Sequence, residues 1–158
     1  MNNVTIIGRV GRQPELRYTN GGTAVCEITI AVDGTDDNVE WIPIVTWGAT
    51  VYSALEIAEE FDLEVIDLRT IVPMDDELVF NSVKKTSRVL VLHEDSITMG
   101  WGAEVVARIA ANCFEHLDAP VLRLGAKDCF VPSAVSLEDE MLPSVDELRA
   151  SVAKLLAY

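Results

Sequence analysis

The sequence predicts an α/β protein: a mostly parallel sheet with helices on both faces, extended by an N-terminal antiparallel β meander. Three observations carry this. After Ala49, short apolar runs alternate with amphipathic segments of helical period, the pattern of βα units. One run, Val89-Leu90-Val91-Leu92, is continuously apolar, as in a strand covered on both faces. Before Ala49 the period is two, and Gly- and Asn-rich turns divide the segments.

In chain order, Val4 to Val10 is a β-rich run ending at Gly11. Thr19-Asn20-Gly21-Gly22 is a turn, since Asn and Gly tolerate positive φ. Thr23 to Val32 alternates as a second strand, and Asp33 to Asn38 is a second turn. Val39 to Trp47 is a third strand, in which Pro43 predicts an edge or a bulge. The first two strands are expected to join the parallel sheet as an antiparallel edge, because open strand edges invite association.

Val51, Leu55, Ala58 and Phe61 then recur at helical spacing. Glu64 to Leu68 is a strand, Pro73 breaks the chain, and Asp75 or Asp76 caps a helix running to Lys85. The apolar run 89–92 is followed by a loop from Glu94 to Gly102 and a helix from Ala103 to His116. Pro120 to Leu124 is a strand, and 125–142 an irregular connection. Ser144-Val145-Asp146-Glu147 is a capping box opening the last helix. These elements fall into two units, 1–48 and 44–158, which share the strand 39–48.

Composition narrows the function. The 158 residues are 49% hydrophobic and 24% charged, enough to bury a core. The net charge of −14 opposes phosphate backbones, whose binding needs Lys and Arg. Cys26, Cys113 and Cys129 form no CxxC pair, so neither zinc nor a disulfide framework is expected, and a reducing cytoplasm is. Cys113 and Cys129 read as core residues. Met1 to Ile7 contains Asn2 and Asn3 and no long apolar run, so no secretory leader and no membrane span are expected.

Two resemblances follow from particular residues. Met1-Asn2-Asn3-Val4-Thr5-Ile6-Ile7-Gly8-Arg9-Val10, Gln13-Pro14-Glu15-Leu16-Arg17-Tyr18, Gly22-Thr23-Ala24-Val25, Glu40-Trp41-Ile42-Pro43-Ile44-Val45 and Trp47-Gly48 resemble the opening of bacterial single-stranded DNA-binding proteins. That family implies an OB barrel, with Trp41 and Trp47 at base-stacking positions. The resemblance ends at Gly48, before the strands that would close the barrel. The competing expectation is that Trp41 and Trp47 pack a new core.

The rest resembles the C-terminal, transketolase-like domain of the beta subunit of 2-oxo acid dehydrogenases, pyruvate or branched-chain type. It is carried by Ile44 to Val51, Glu64 to Asp75, Ser82 to Arg88, His93-Glu94-Asp95, Met99 to Glu104, Ala119 to Arg123 and Leu142-Pro143-Ser144. Ile44 to Gly48 satisfies both families, so the chain reads as a chimera joined in a shared strand. The second resemblance implies thiamine diphosphate in the parent complex. The segments that hold that cofactor in the family are missing, so this chain alone is expected to bind none. It also implies homo-oligomeric pairing, an alpha-subunit partner, and docking of an acyltransferase core, for which the chain end at Tyr158 resembles the family's aromatic terminus.

Among single residues, His93 beside Glu94 and Asp95 is a candidate proton donor at a strand's carboxyl end, where open α/β sheets place ligands. The alternative is a structural histidine, since no nucleophile or metal partner lies beside it. His116 reads as a helix-dipole contact. Gly100-Trp101-Gly102 is either an anion-binding helix start or a packing turn, and the packing turn is favoured. Three functions remain open: a non-catalytic pairing and docking scaffold, a single-stranded DNA-binding module, and an enzyme component active only with missing partners.

Overall fold

The computed structural model describes residues 41–158 throughout and, before them, four short strand segments. These are β1 (Arg9–Val10), β2 (Glu15–Tyr18), β3 (Ala24–Glu27) and β4 (Ile30–Ala31). They pair antiparallel, β2 with β3 and β1 with β4, so a hairpin is nested inside an outer pair. The turns expected at 19–22 and 33–38 lie outside the described residues. Two compact units are present, one over Ile6–Asn38 and one taking in Val39–Tyr158.

The second unit alternates strand and helix. Its elements are β5 (Ile42–Thr46), α1 (Thr50–Phe61), β6 (Leu63–Asp67), α2 (Asp76–Thr86), β7 (Leu90–Ser96), α3 (Gly102–Cys113), β8 (Leu122–Ala126), α4 (Val135–Met141) and α5 (Val145–Leu156). A single 3-10 turn, Phe114–His116, follows α3 and contains His116. The four strands form one parallel sheet in the order β6-β5-β7-β8. Among the described residues this sheet contains only strands from Ile42 onward, and β1 to β4 pair with one another. The expected antiparallel edge is therefore not found there.

Strand parity divides the core into two layers. Ile42, Ile44, Val65, Leu90 and Leu92 point to one face, where Ala54 and Ile57 of α1 and Leu148, Val152 and Leu155 of α5 cover them. Val45, Ile66, Val89 and Val91 point to the other, under Val79 and Val83 of α2 and Val105, Ile109 and Cys113 of α3. Right-handed crossovers place α1 opposite α2 and α3, because the chain leaves β5 in one direction and passes back over it to β7. All five residues of β5 are buried, as are Leu90 to His93 of β7, in keeping with the apolar run in the sequence.

Local signals agree with this frame. Asp75 caps α2 by accepting from the Leu78 N–H at 3.0 Å. Ser144 and Glu147 form the reciprocal capping box that starts α5. On the surface, Arg149 of α5 reaches Glu60 of α1 at 3.1 Å, and such an exposed pair adds little stability.

Three expectations are corrected. Pro43 lies in an interior strand rather than at an edge or bulge. The β7 ladder starts only at Ile44, so Pro43 is at a point where that side of β5 is unpaired, and the missing N–H costs nothing there. The connection 125–142 contains α4, a short helix with only Met141 buried, so no apolar stripe announced it. Cys129 is exposed, and of the two cysteines in 41–158 only Cys113 is in the core.

Candidate functional site

The sheet order reverses between β5 and β7, and the crevice at their carboxyl ends is where this architecture places ligands. There Thr46 pairs with Leu92 and Leu92 with Leu124, and β7 and β8 then shift register to pair again at Ser96 and Ala126. One residue further on, Trp47, His93 and Gly125 make a row across the sheet on the α3 side. Sequence reasoning singled out the first two of these, and the fold brings them together.

His93 is fully buried. The Trp47 ring stacks on it, with centroids 5.5 Å apart and planes 4° from parallel. The Trp101 ring meets Trp47 edge-on at 5.6 Å. The remaining walls are glycines. A Cβ on Gly102, the first residue of α3, would overlap Cδ2 and Nε2 of the imidazole. A Cβ on Gly125 would lie 3.0 Å from Nδ1 and closer still to Cε1. In the Gly100-Trp101-Gly102 turn, Gly102 packs on His93, Gly100 on the Ser96 carbonyl and Asp95, and Trp101 on Trp47.

Neither ring nitrogen of His93 has a hydrogen-bond partner among the described residues. The Asp95 carbonyl lies beside the ring outside hydrogen-bond geometry, and its pull toward the charged form is the smallest of the influences on the ring. Burial pushes the His93 pKa below its ordinary value, the Arg123 guanidinium pushes it further, and Asp95 opposes both. The positive end of α3 acts in the same sense as burial. The imidazole is therefore held neutral.

Arg123 is a residue that sequence reasoning passed over. Its Nη1 is buried without a partner among the described residues, and it sits on β8 next to the row. A lone arginine in the apolar run Val121-Leu122-Arg123-Leu124 was the available signal. Asp95 holds the turn before α3, accepting from the Ser96 N–H at 2.8 Å and the Trp101 N–H at 3.1 Å. Arg108 pairs with Glu104 at 2.8 Å and lies over the Trp101 ring at 5.9 Å.

The other candidate residues lie elsewhere. Trp41 is half-buried just before β5, with its indole N–H unpartnered among the described residues. Tyr158 is exposed, beyond Leu155, which packs in the core. Among the described residues no three His, Cys, Asp or Glu side chains converge as metal ligands. No helix among them is long and apolar enough to cross a membrane.

Comparison with known proteins agrees with both parts of the reading. The family model "Transketolase, C-terminal domain" matches residues 36–148. That of the single-strand binding protein family matches residues 1–60, so the two overlap across β5. The chain is 39% identical over 122 residues to the pyruvate dehydrogenase E1 component subunit beta of Rickettsia conorii, covering 74% of this chain and 37% of that protein. It is 41% identical over 123 residues to the mitochondrial 2-oxoisovalerate dehydrogenase subunit beta of Dictyostelium discoideum, covering 74% and 33%. A solved structure described as a split gene transketolase, inactive beta4 tetramer, superposes with a TM-score of 0.61 at 26% identity, covering 75% of this chain and 40% of that one. The chain thus spans about a third of the length of its curated relatives. With most of its residues inside that model and its parallel sheet matched by a transketolase, the chain belongs to the transketolase C-terminal domain family.

Proposed function

We propose that the chain is a non-catalytic chimeric scaffold, with a 2-oxo acid dehydrogenase beta-type domain that pairs subunits and docks an acyltransferase core. The observation that supports it is an apolar surface beside the sheet's carboxyl end. Phe130 is 97% exposed and Met99 93%, and Val131, Val135 and Leu137 are exposed nearby in sequence. The Asp128 carboxylate takes hydrogen bonds from the Thr98 N–H and hydroxyl, which draws the Met99 turn to the Phe130 segment. Those bonds hold the Asp128 carboxyl below the usual carboxylate range. Apolar side chains concentrated in this way mark interaction sites. The matched relatives bear beta-subunit names, and the superposed transketolase is described as a tetramer, which favours pairing. Thiamine diphosphate and the alpha subunit belong to the parent complex in this reading. Free thiols at Cys113 and Cys129 fit a reducing cytoplasm.

Sedimentation tests it. The full chain at about 0.1 mM, where a pairing of only ~5.5 kcal/mol is visible, should run heavier than its 17.3 kDa. Phe130→Asp should weaken the association at least about tenfold, as for an interface anchor, without lowering the melting temperature. A wild-type chain that stays monomeric at that concentration sinks the pairing claim.

A second reading, single-stranded DNA binding, draws on the family match over residues 1–60. Against it, one face of Trp47 is taken by His93, and residues 1–48 carry three Arg against six acids. Titration with oligo-dT at low salt should therefore leave tryptophan emission unchanged. Saturable quenching would favour the DNA reading instead, since a stacked base is worth ~1–3 kcal/mol.

A further inference from the structure

We propose that His93 is an acid-operated latch: proton uptake by its imidazole releases the first turn of α3, Trp101 to Glu104, from the ends of β5, β7 and β8. This goes beyond the scaffold reading and does not depend on it.

The geometry gives the reason. A neutral imidazole carries one N–H, whereas an imidazolium carries two and needs an acceptor for each. The slot is lined by the Trp47 face and the backbones of Gly102 and Gly125, and among the described residues the acceptor beside the ring is the Asp95 carbonyl, outside hydrogen-bond geometry. It has no room into which the ring could turn, because both glycines are already in contact with it.

The charges facing the ring decide the sign. On β7, the Asp95 carboxylate favours the cation but is committed to the Ser96 and Trp101 N–H groups, and Glu94 lies at the surface beside Gly48. On β8, Arg123 opposes the cation. On β5, the Trp47 π face favours it. On α3, the helix N-terminus opposes it, and Glu104 is held by Arg108, which also reaches Asp76 of α2 at 3.4 Å. Burial adds to the opposing side, which prevails.

The weakest wall is the one that gives. The strands are fixed by ladders, whereas the α3 start has no side-chain cap of its own and is tied to β7 by the Asp95 bond to the Trp101 N–H, beside its internal backbone bonds. Before it stands Met99, exposed and held at a φ of 63°. Once the turn lifts, Asp95 is freed as an acceptor for the imidazolium. Val105, Ile109 and Cys113 remain packed, so the opening is local.

The sign with pH follows. The open state binds its proton near the ordinary value of 6.5, and the closed state binds it at lower pH. Above 6.5 the latch is shut, and as pH falls below that the opening equilibrium rises about tenfold per unit until the closed form is itself protonated. Amide hydrogen exchange measured by NMR on the full chain from pH 7.5 to 5, corrected for intrinsic chemistry, tests this. Amides 102–105 should show that rise while those of Val45 and Leu148 do not, and the His93 ring should titrate below its ordinary value. His93→Gln should make the 102–105 response flat. The proposal fails if that response persists in His93→Gln. If the variant does not fold, wild type decides: no rise at 102–105 as pH falls below 6.5, or a His93 ring that titrates at or above its ordinary value, overturns it.

Discussion

Gly102→Ala is expected to destabilise the α/β unit by about 1–3 kcal/mol or more, against the normal direction for a helix. Glycine in a helix is ordinarily ~1 kcal/mol worse than alanine, so on propensity alone the substitution would stabilise. Here the added methyl would fall on Cδ2 and Nε2 of a ring that Trp47 and Gly125 hold from other sides. The imidazole is not the free end of a flexible chain, so relief requires moving α3 or bending β7. Each kcal/mol lost should lower the melting temperature by roughly 2–8 °C. A double-mutant cycle with His93→Ala isolates the cause: without the ring, the methyl at 102 enters the space vacated, and the two losses should fall short of additive. A Gly102→Ala protein that melts at or above wild type would show that the slot yields easily.

Leu148→Ala should cost about 2–5 kcal/mol, the range for a buried leucine whose removal leaves a cavity. Leu148 is fully buried and belongs to the layer formed by Ile42, Ile44, Leu90, Leu92 and α1. It is the first fully buried residue of α5, one turn after the capping box, so its loss also loosens the helix where the cap anchors it. Leu156→Ala, in the same helix but 38% exposed, is the control and should stay well under half that loss. Chemical denaturation of both variants, with unchanged slopes, measures the difference. Equal losses would mean that α5 does not use its inner face as described.

Much of the fold was legible because its determinants are local or periodic. The parity of Ile42, Ile44 against Val45, and of Leu90, Leu92 against Val89, Val91, is a two-residue period that follows directly from strand geometry. The Ser144–Glu147 box and the Asp75 cap involve neighbours three residues apart. What escaped depends on distant partners. The place of Pro43 depends on where β7 begins to pair, which is a register between strands. Helix α4 buries one residue, so no pattern marked it. For the site, position alone put His93 at a strand end. Its enclosure needed Trp47, Gly102 and Gly125 from three other segments, and no spacing in a single chain reports that meeting.

Strand β5 has a consequence for what the two family matches mean in space. Residues 36–60 satisfy both profiles, yet each peptide group in β5 can be bonded only once. From Ile44 to Thr46 it is paired with β6 on one edge and β7 on the other, so its hydrogen-bonding valence is saturated. A third strand brought to it, from this chain or another, would have to evict one of those two. Matching two families is therefore not shared availability: a stretch of letters can satisfy two patterns, while the strand it forms has a single set of neighbours.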